Sequence, residues 1–168
     1  MLKKKVEIEV SFKDFLKRFP EVEMPVTLGE NSHFSFSEHN KPLHVEMIGA
    51  YLEPYLGPSD EFTEYISCFR IPETHNFEAL VCWRADLNSY QYFLISYTKK
   101  GEYIDHKFIA GMKWESEKML TVIATMVSDW IIYQNMGTHA GGNLEEYKES
   151  SRVRMLELLP DGKITTPQ

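Results

Sequence analysis

The sequence has few of the residues that indicate a metal or redox protein. Only two cysteines, Cys68 and Cys82, occur among its 168 residues, and they do not form a CxxC pair. A zinc ribbon or a dithiol redox site is therefore not supported. Neighbouring strands could bring the two cysteines together, but free buried thiols are the usual state of isolated cysteines and are what we predict.

Long apolar runs are also missing. No stretch approaches the roughly 20 apolar residues that a membrane-spanning helix needs. The basic cluster at residues 3–5 is followed by Glu7 and Glu9, which interrupt the apolar core that a signal peptide requires. We therefore expect a cytoplasmic protein for the sequence as given. A chain exported or attached as a lipoprotein would look the same once its leader was removed.

Basic residues are fewer than acidic ones. The chain has 18 lysines and arginines against 25 aspartates and glutamates, which gives a formal net charge of −7. Nucleic acids and anionic membranes both require a cationic surface, so this balance disfavours both as partners. It permits a basic protein partner.

Aromatic residues, in contrast, are abundant at 13% of the chain, and many concentrate in residues 77–111. This density of aromatic and β-branched residues is typical of a packed β-sheet. The segment predicts a meander of three strands, at 77–83, 90–97 and 103–110. Glycine and polar residues mark the turns between them.

The middle strand of this meander predicts a sheet that is covered on both sides. Side chains alternate between the faces of a strand, which assigns Tyr92 and Leu94 to one face and Phe93, Ile95 and Tyr97 to the other. Because both sets are apolar, we expect other elements to pack against each face.

The segments downstream and just upstream of this meander continue the pattern. Short turns separate the strands at intervals of roughly 10 to 15 residues, which is typical of an antiparallel sheet rather than of βαβ units. Residues 112–118 are interpreted as a charged link, and residues 137–151 as a loop. Four further strands are predicted at 65–71, 120–127, 130–136 and 152–159.

The N-terminal third predicts helices and irregular backbone. A serine N-cap and an apolar stripe indicate a helix over 12–18, and a second helix is expected after Pro42. Residues 20–42 are interpreted as irregular with a short strand at 33–36, and an edge strand is indicated at 3–10. The sequence thus predicts one α+β domain, an antiparallel meander-rich sheet with two N-terminal helices packed on it.

Histidines are the first candidates for chemistry. His33, His39 and His44 lie within twelve residues and close to Glu38 and Glu46. Imidazole and carboxylate are the ligands of zinc and iron sites. Their spacing matches no metal motif, so we interpret them as solvated loop histidines and predict no metal or other cofactor.

No catalytic constellation stands out. A GxSxG elbow is absent, and apolar surroundings disfavour a reactive thiolate at either cysteine. The glycines around His139 could approach an anion, but no lysine follows them and the acids at 145–149 would repel phosphate. Spacing alone selects no carboxylate pair for glycoside hydrolysis. A binding protein is therefore favoured over an enzyme.

The best candidate for function is an aromatic surface with an acidic rim. Tyrosine and tryptophan anchor many interfaces, and acidic residues steer a basic partner towards them. The rim is predicted at two stretches, 59–64 and 145–149. The candidate binding residues are Trp83, Tyr90, Tyr92, Trp114, Trp130, His139, Asp60, Glu61 and Glu64.

Four segments carry a resemblance: FKDFLKRFP, EVEMPVTLG, YQYFLISYTKKGEYIDHKFIAG and LELLPDGKI. Over about residues 10–165, the chain resembles a family of small proteins from Bacteroidetes-type bacteria whose function is not known. The shared features are strands and their turns, so the resemblance implies no activity, cofactor or catalytic residue. Some members carry a lipoprotein leader, which keeps export as an alternative location.

These observations favour a non-enzymatic protein-binding module with a basic protein partner. A basic toxin is one concrete form of that partner, and the chain would then be an acidic immunity or inhibitor protein. The alternative is a small-molecule or glycan-binding protein, or a hydrolase, with a pocket between sheet and helices. A third interpretation is a structural or envelope-associated module that binds copies of itself. The sequence selects no oligomeric state.

Overall fold

A computed structural model describes residues 10–140 and 150–167. The predicted strand at 3–10 lies almost wholly outside these ranges, and so do the acids at 145–149. The helices are α1 (Phe12–Leu16), α2 (Ser32–His39), α3 (Val45–Tyr51) and α4 (Glu53–Leu56). The strands are β1 (Val26–Leu28), β2 (Glu64–Arg70), β3 (Phe77–Asp86), β4 (Ser89–Thr98), β5 (Tyr103–Glu115), β6 (Lys118–Met126), β7 (Ile131–Ala140), β8 (Ser150–Leu158) and β9 (Ile164–Thr165).

The strands form an antiparallel meander. From β2 to β9, each strand pairs with its neighbours in the chain, while β1 pairs with β6 outside this order. The register of the β1 pair runs from Val26 opposite Met126 to Leu28 opposite Ala124. The α+β class with an antiparallel sheet is therefore confirmed.

Strand β5 changes its pairing partner at Gly111, a position that we call the corner of the sheet. This strand pairs with β4 up to Met112 and with β6 from Gly111 onward. Gly111 has φ +130°, which favours glycine. Beyond the corner the sheet curls back, so that the end of the chain contacts β4 and β5. The backbone N–H of Ile164 donates to Asp105 Oδ2 at 2.9 Å, and the Ser96 hydroxyl donates to the Gly162 carbonyl at 2.5 Å. The last strand therefore closes against β4 and β5.

Two main cores cover the two sides of the sheet, and a small third cluster lies between β6 and β7. The larger core lies inside the curve, receives buried side chains from every strand, and includes Tyr92 and Leu94. The second core lies under the helices and contains Phe93, Ile95 and Tyr97. The predicted division of the β4 side chains between two covered faces is confirmed.

The helical layer begins at a capped helix that packs on the sheet and ends at hydrogen bonds from a strand. Ser11 caps α1 by accepting a hydrogen bond from the Asp14 backbone N–H at 3.1 Å, as predicted. Phe15 is fully buried in the second core, and burying such a side chain stabilises the fold by about 1.5–3 kcal/mol. At the far end, the Arg84 guanidinium donates to the carbonyls of Leu56 and Pro58 at 2.8 and 2.9 Å.

Four sequence predictions are wrong. His33 and His39, interpreted as loop histidines, lie in helix α2. Residues 33–36 lie in helix α2 rather than in a strand, since Phe36 packs against Phe69 of β2. The predicted link at 112–118 is mostly strand, because β5 continues to Glu115 and pairs with β6. The predicted loop at 137–151 begins and ends in strand, since β7 reaches Ala140. Strand ends that extend beyond the core carry polar side chains and glycines, which made them resemble loops.

The cysteines lie on opposite faces of the sheet. Cys68 sits at an irregularity in β2 and belongs to the larger core, while Cys82 belongs to the second core. Both are buried and free, as predicted. Burial raises the pKa of the Cys82 thiol from 9.0 to about 12 and raises that of Cys68 well above 9.0.

Stability is therefore expected to fall in alkaline solution. The unfolded chain releases the thiol protons near pH 9, before the folded protein does. The contribution of the neutral Cys82 thiol is complete below that pH and is lost as the pH rises towards about 12, by roughly 1.4 kcal/mol per pH unit. Cys68, whose pKa is also raised by burial, adds a loss of the same sign. Urea midpoints at about pH 8 and about pH 11 measure the loss. Cys82→Ala should make this pH dependence shallower by the share of one thiol, because Cys68 and the buried Tyr92 and Tyr97, whose pKa values burial also raises, still contribute. An equally steep dependence in that variant would contradict the assignment.

Candidate binding grooves

An acidic groove joins Trp130 to residues from two other parts of the chain. It is formed by the segment that leads into β1, the loop between β2 and β3, and the turn between β6 and β7. Its volume is about 500 Å³, and its lining residues are Glu21, Val22, Glu23, Met24, Pro72, Glu73, Ser128 and Trp130.

Trp130 occupies a strained position in this groove. Its backbone N–H donates to the Val127 carbonyl at 3.0 Å, which closes the turn, and its φ is +62°. A residue with a large side chain pays about 1–2 kcal/mol in this left-handed region. The indole packs edge-on against Phe77, with ring centroids 5.6 Å apart. The fold thus holds an aromatic side chain at a turn position that glycine would fill more easily.

Glu73 shares this strain. Its φ is also +62°, in the loop on the opposite wall of the groove. In the described ranges, the other non-glycine residues with positive φ are Ser116 and Glu117, which form the tight turn between β5 and β6. Residues held in the left-handed region occur preferentially at functional sites. Of the four such non-glycine residues in the described ranges, Glu73 and Trp130 line the same groove.

The electrostatics of the groove are negative. Glu21 is paired with Arg70, with 3.2 Å between the carboxylate and the guanidinium. Glu23 and Glu73 are exposed and add two further carboxylates. An indole face attracts a cation by about 0.5–2 kcal/mol, and nearby carboxylates add to this attraction. The groove therefore suits a lysine or arginine side chain.

A second groove of about 470 Å³ lies among the helices and is cationic. It is formed by α1, the chain that follows α1, and the link between α2 and α3. Its lining residues are Val10, Asp14, Lys17, Arg18, Pro20, His39, Asn40, Lys41, His44 and Met47.

Hydrogen bonds fix the arginine of this helical groove. Arg18 donates from Nη1 to the Pro42 carbonyl at 3.0 Å, and its Nη2 lies 2.9 Å from His44 Nε2. Because a guanidinium only donates, His44 Nε2 accepts, and its other nitrogen carries the proton. His39 Nδ1 lies 2.7 Å from the Ser35 carbonyl and therefore donates to it.

Three of the predicted aromatic residues lie together beneath α2. Trp83 and Tyr92 are cross-strand partners in β3 and β4, and the His33 ring stacks on Trp83 at 4.5 Å between centroids. Tyr90 lies 6.4 Å from the same ring. Trp83 is only 6% exposed and Tyr92 is fully buried, and burial raises the Tyr92 pKa above its ordinary value. This cluster packs α2 onto the sheet and presents little surface to a partner.

The remaining predicted residues are dispersed. Trp114 is 52% exposed near the end of β5. His139 lies in β7, where its Nε2 is 3.3 Å from the Thr121 hydroxyl. Asp60, Glu61 and Glu64 are exposed, but they lie at the start of β2, whereas the acidic groove adjoins the far end of that strand. A strand of seven residues spans about 20 Å, so these acids do not border Trp130.

The outer face of β6, β7 and β8 exposes four large apolar side chains around Asn135, a feature that the sequence analysis did not identify. Ile123 is 50% exposed, and Val153 is 71% exposed in the same cross-strand row. Tyr133 and Met155 face each other in the adjacent row and are 41% and 38% exposed. Tyr133 follows Trp130 by three positions, so this face begins close to the acidic groove.

No protein-family model, curated protein or solved structure matches this chain. The resemblance in its strand and turn segments stays a prediction. None of the described helices combines the length and apolarity that a membrane crossing demands. Within residues 10–140 and 150–167, no three His, Cys, Asp or Glu side chains converge as a metal site would require.

Proposed function

We propose that the chain is a non-enzymatic binding module whose acidic groove receives a basic segment of a partner protein. The observation that carries this proposal is the convergence of Trp130 with Glu23 and Glu73 in a groove of about 500 Å³. A lysine or arginine stem would lie along the indole, and its charged end would meet the carboxylates.

The neighbouring sheet face supplies the area that a groove of this size lacks. Protein interfaces combine an apolar centre with a polar rim. Tyr133, Ile123 and Val153 offer exposed apolar side chains on the face that begins three residues after Trp130. A basic segment in the groove would therefore be flanked by further contacts across the outer face of β6 to β8.

The net charge of −7 supports a basic partner. An excess of one charge accelerates encounter with a partner of opposite charge and makes the rate depend on salt. The finer proposal is that the partner is a basic toxin and that this chain is its acidic immunity or inhibitor protein.

Two variants of equal charge test the groove. Glu23→Gln/Glu73→Gln removes two carboxylates from the groove, and Glu61→Gln/Glu64→Gln removes two exposed carboxylates from the start of β2. We expect the groove variant to weaken binding of a hexalysine peptide at least fivefold more than the control does. Both variants lose the same long-range electrostatic attraction, but only the groove variant loses direct contacts with the peptide. Isothermal titration at low ionic strength measures both affinities.

Equal weakening in the two variants would overturn the proposal, since it would show that only net charge matters. A greater loss in the control would instead favour the predicted rim at 59–64. Once the groove is confirmed, capture with wild-type protein and both variants, followed by mass spectrometry, identifies the partner as the protein lost only with the groove variant.

A further inference from the structure

We propose a second site, in which the helical groove binds a small molecule that carries a phosphate monoester. Three of its lining side chains are cationic, Lys17, Arg18 and Lys41, and one is anionic, Asp14. With neutral histidines, the formal charge of the lining is therefore 3 − 1 = +2. A phosphate monoester carries about −1.5 to −2 at neutral pH, so the two charges match within a chain that is acidic overall.

The arginine is held ready for an anion. Nη1 and Nη2 of Arg18 each donate one hydrogen bond, to the Pro42 carbonyl and to His44 Nε2. A guanidinium has five N–H donors in a fixed plane, so these two contacts leave donors for an oxyanion. An arginine that is already oriented loses less conformational entropy when it binds.

The acidic residue does not cancel this charge. Asp14 Oδ1 lies 3.9 Å from Lys17 Nζ, and both side chains are more than 60% exposed. A pair at this distance and exposure is weak. Lys17 can therefore turn towards a ligand, while Lys41 approaches from the α2–α3 link.

The rest of the groove fits an organic group. Val10, Pro20 and Met47 supply apolar contacts beside the charged side chains. A volume of about 470 Å³ lies in the range of small-molecule sites, roughly 300–1,000 Å³. The site therefore has room for more than inorganic phosphate. The inference is independent of the acidic groove, because the two grooves share no lining residue.

Glycerol 3-phosphate is a suitable probe, with succinate at equal ionic strength as the carboxylate comparison. We expect saturable ¹H–¹⁵N shift changes at Arg18, Lys41 and His44 with glycerol 3-phosphate. Lys17→Gln/Lys41→Gln should weaken binding at least tenfold. Lys100→Gln/Lys107→Gln, which removes the same charge from exposed positions elsewhere, should change it less than twofold.

Three outcomes would overturn the proposal: shifts that do not saturate, succinate binding as tight as that of glycerol 3-phosphate, or equal weakening in both variants. Cosedimentation with phosphatidic acid vesicles distinguishes the source of the group. Tighter binding to vesicles than to glycerol 3-phosphate at equal phosphate concentration assigns the site to a lipid headgroup, and binding to glycerol 3-phosphate alone assigns it to a soluble phosphate ester.

Discussion

Trp130→Gly is expected to weaken binding of a basic peptide at least tenfold while the protein stays folded. Tryptophans at the centre of an interface commonly contribute 2 kcal/mol or more. The fold loses the edge-on contact with Phe77, which is worth about 0.5–1.5 kcal/mol beyond its area. Glycine, however, removes the cost of a φ of +62°. The indole is also partly buried against the larger core, so the relief of strain offsets only part of the lost burial and the variant should unfold at a lower urea concentration than the wild type.

Peptide titration and urea denaturation together measure this result. Trp114→Ala is the control, because it removes an indole that is 52% exposed outside both grooves. Equal loss of affinity in the two variants would contradict a role for the groove. Trp130→Ala provides a second check, since alanine keeps the left-handed cost and should be less stable than the glycine variant.

Gly111→Ala is expected to destabilise the protein by about 3–5 kcal/mol, which is in the range of severe single substitutions. A Cβ at this position would lie 2.2 Å from the Tyr90 carbonyl oxygen and 3.0 Å from the Gln91 Cα. Both atoms belong to the backbone of β4, so relief would require the sheet itself to move. The φ of +130° adds strain that alanine cannot avoid.

Urea denaturation of soluble protein, or the soluble yield where the variant fails to fold, measures this loss. Gly49→Ala is the matched control, because nothing lies within 4 Å of a Cβ there and the residue is in helix α3. Alanine at that position should stabilise the protein by about 0.5–1 kcal/mol. A Gly111→Ala variant as stable as the control would refute the account of the corner.

Periodicity in the sequence predicted the elements whose contacts are local. The meander and the opposite faces of Tyr92 and Phe93 follow from alternation along single strands. Helix α2 was missed because His33, Phe34 and Phe36 give too short a pattern to distinguish the two periods. Packing of Phe36 on Phe69, far along the chain, decides in favour of the helix.

The two grooves could not be predicted from the sequence, because their lining residues are also far apart along the chain. Trp130 was among the predicted binding residues, but the acids beside it come from positions about 57 and 107 residues earlier, Glu73 and Glu23. Nothing in their local sequence distinguishes them from the other acids. Likewise, Lys17 and Lys41 line one groove only because the link after α2 lies next to α1.

The pairing of β1 has a consequence for the order of folding. Each of the other strand pairs joins neighbours in the chain, but Thr27 and Thr125, whose hydroxyls lie 3.0 Å apart, are separated by 98 positions. Closing a loop of that length costs on the order of 4 kcal/mol of chain entropy, so we expect β1 to join after the hairpins have formed. Glu21 and Glu23 lead directly into β1. The acidic groove is therefore complete only when β1 has joined the sheet, so the protein can bind a partner there only at the end of folding.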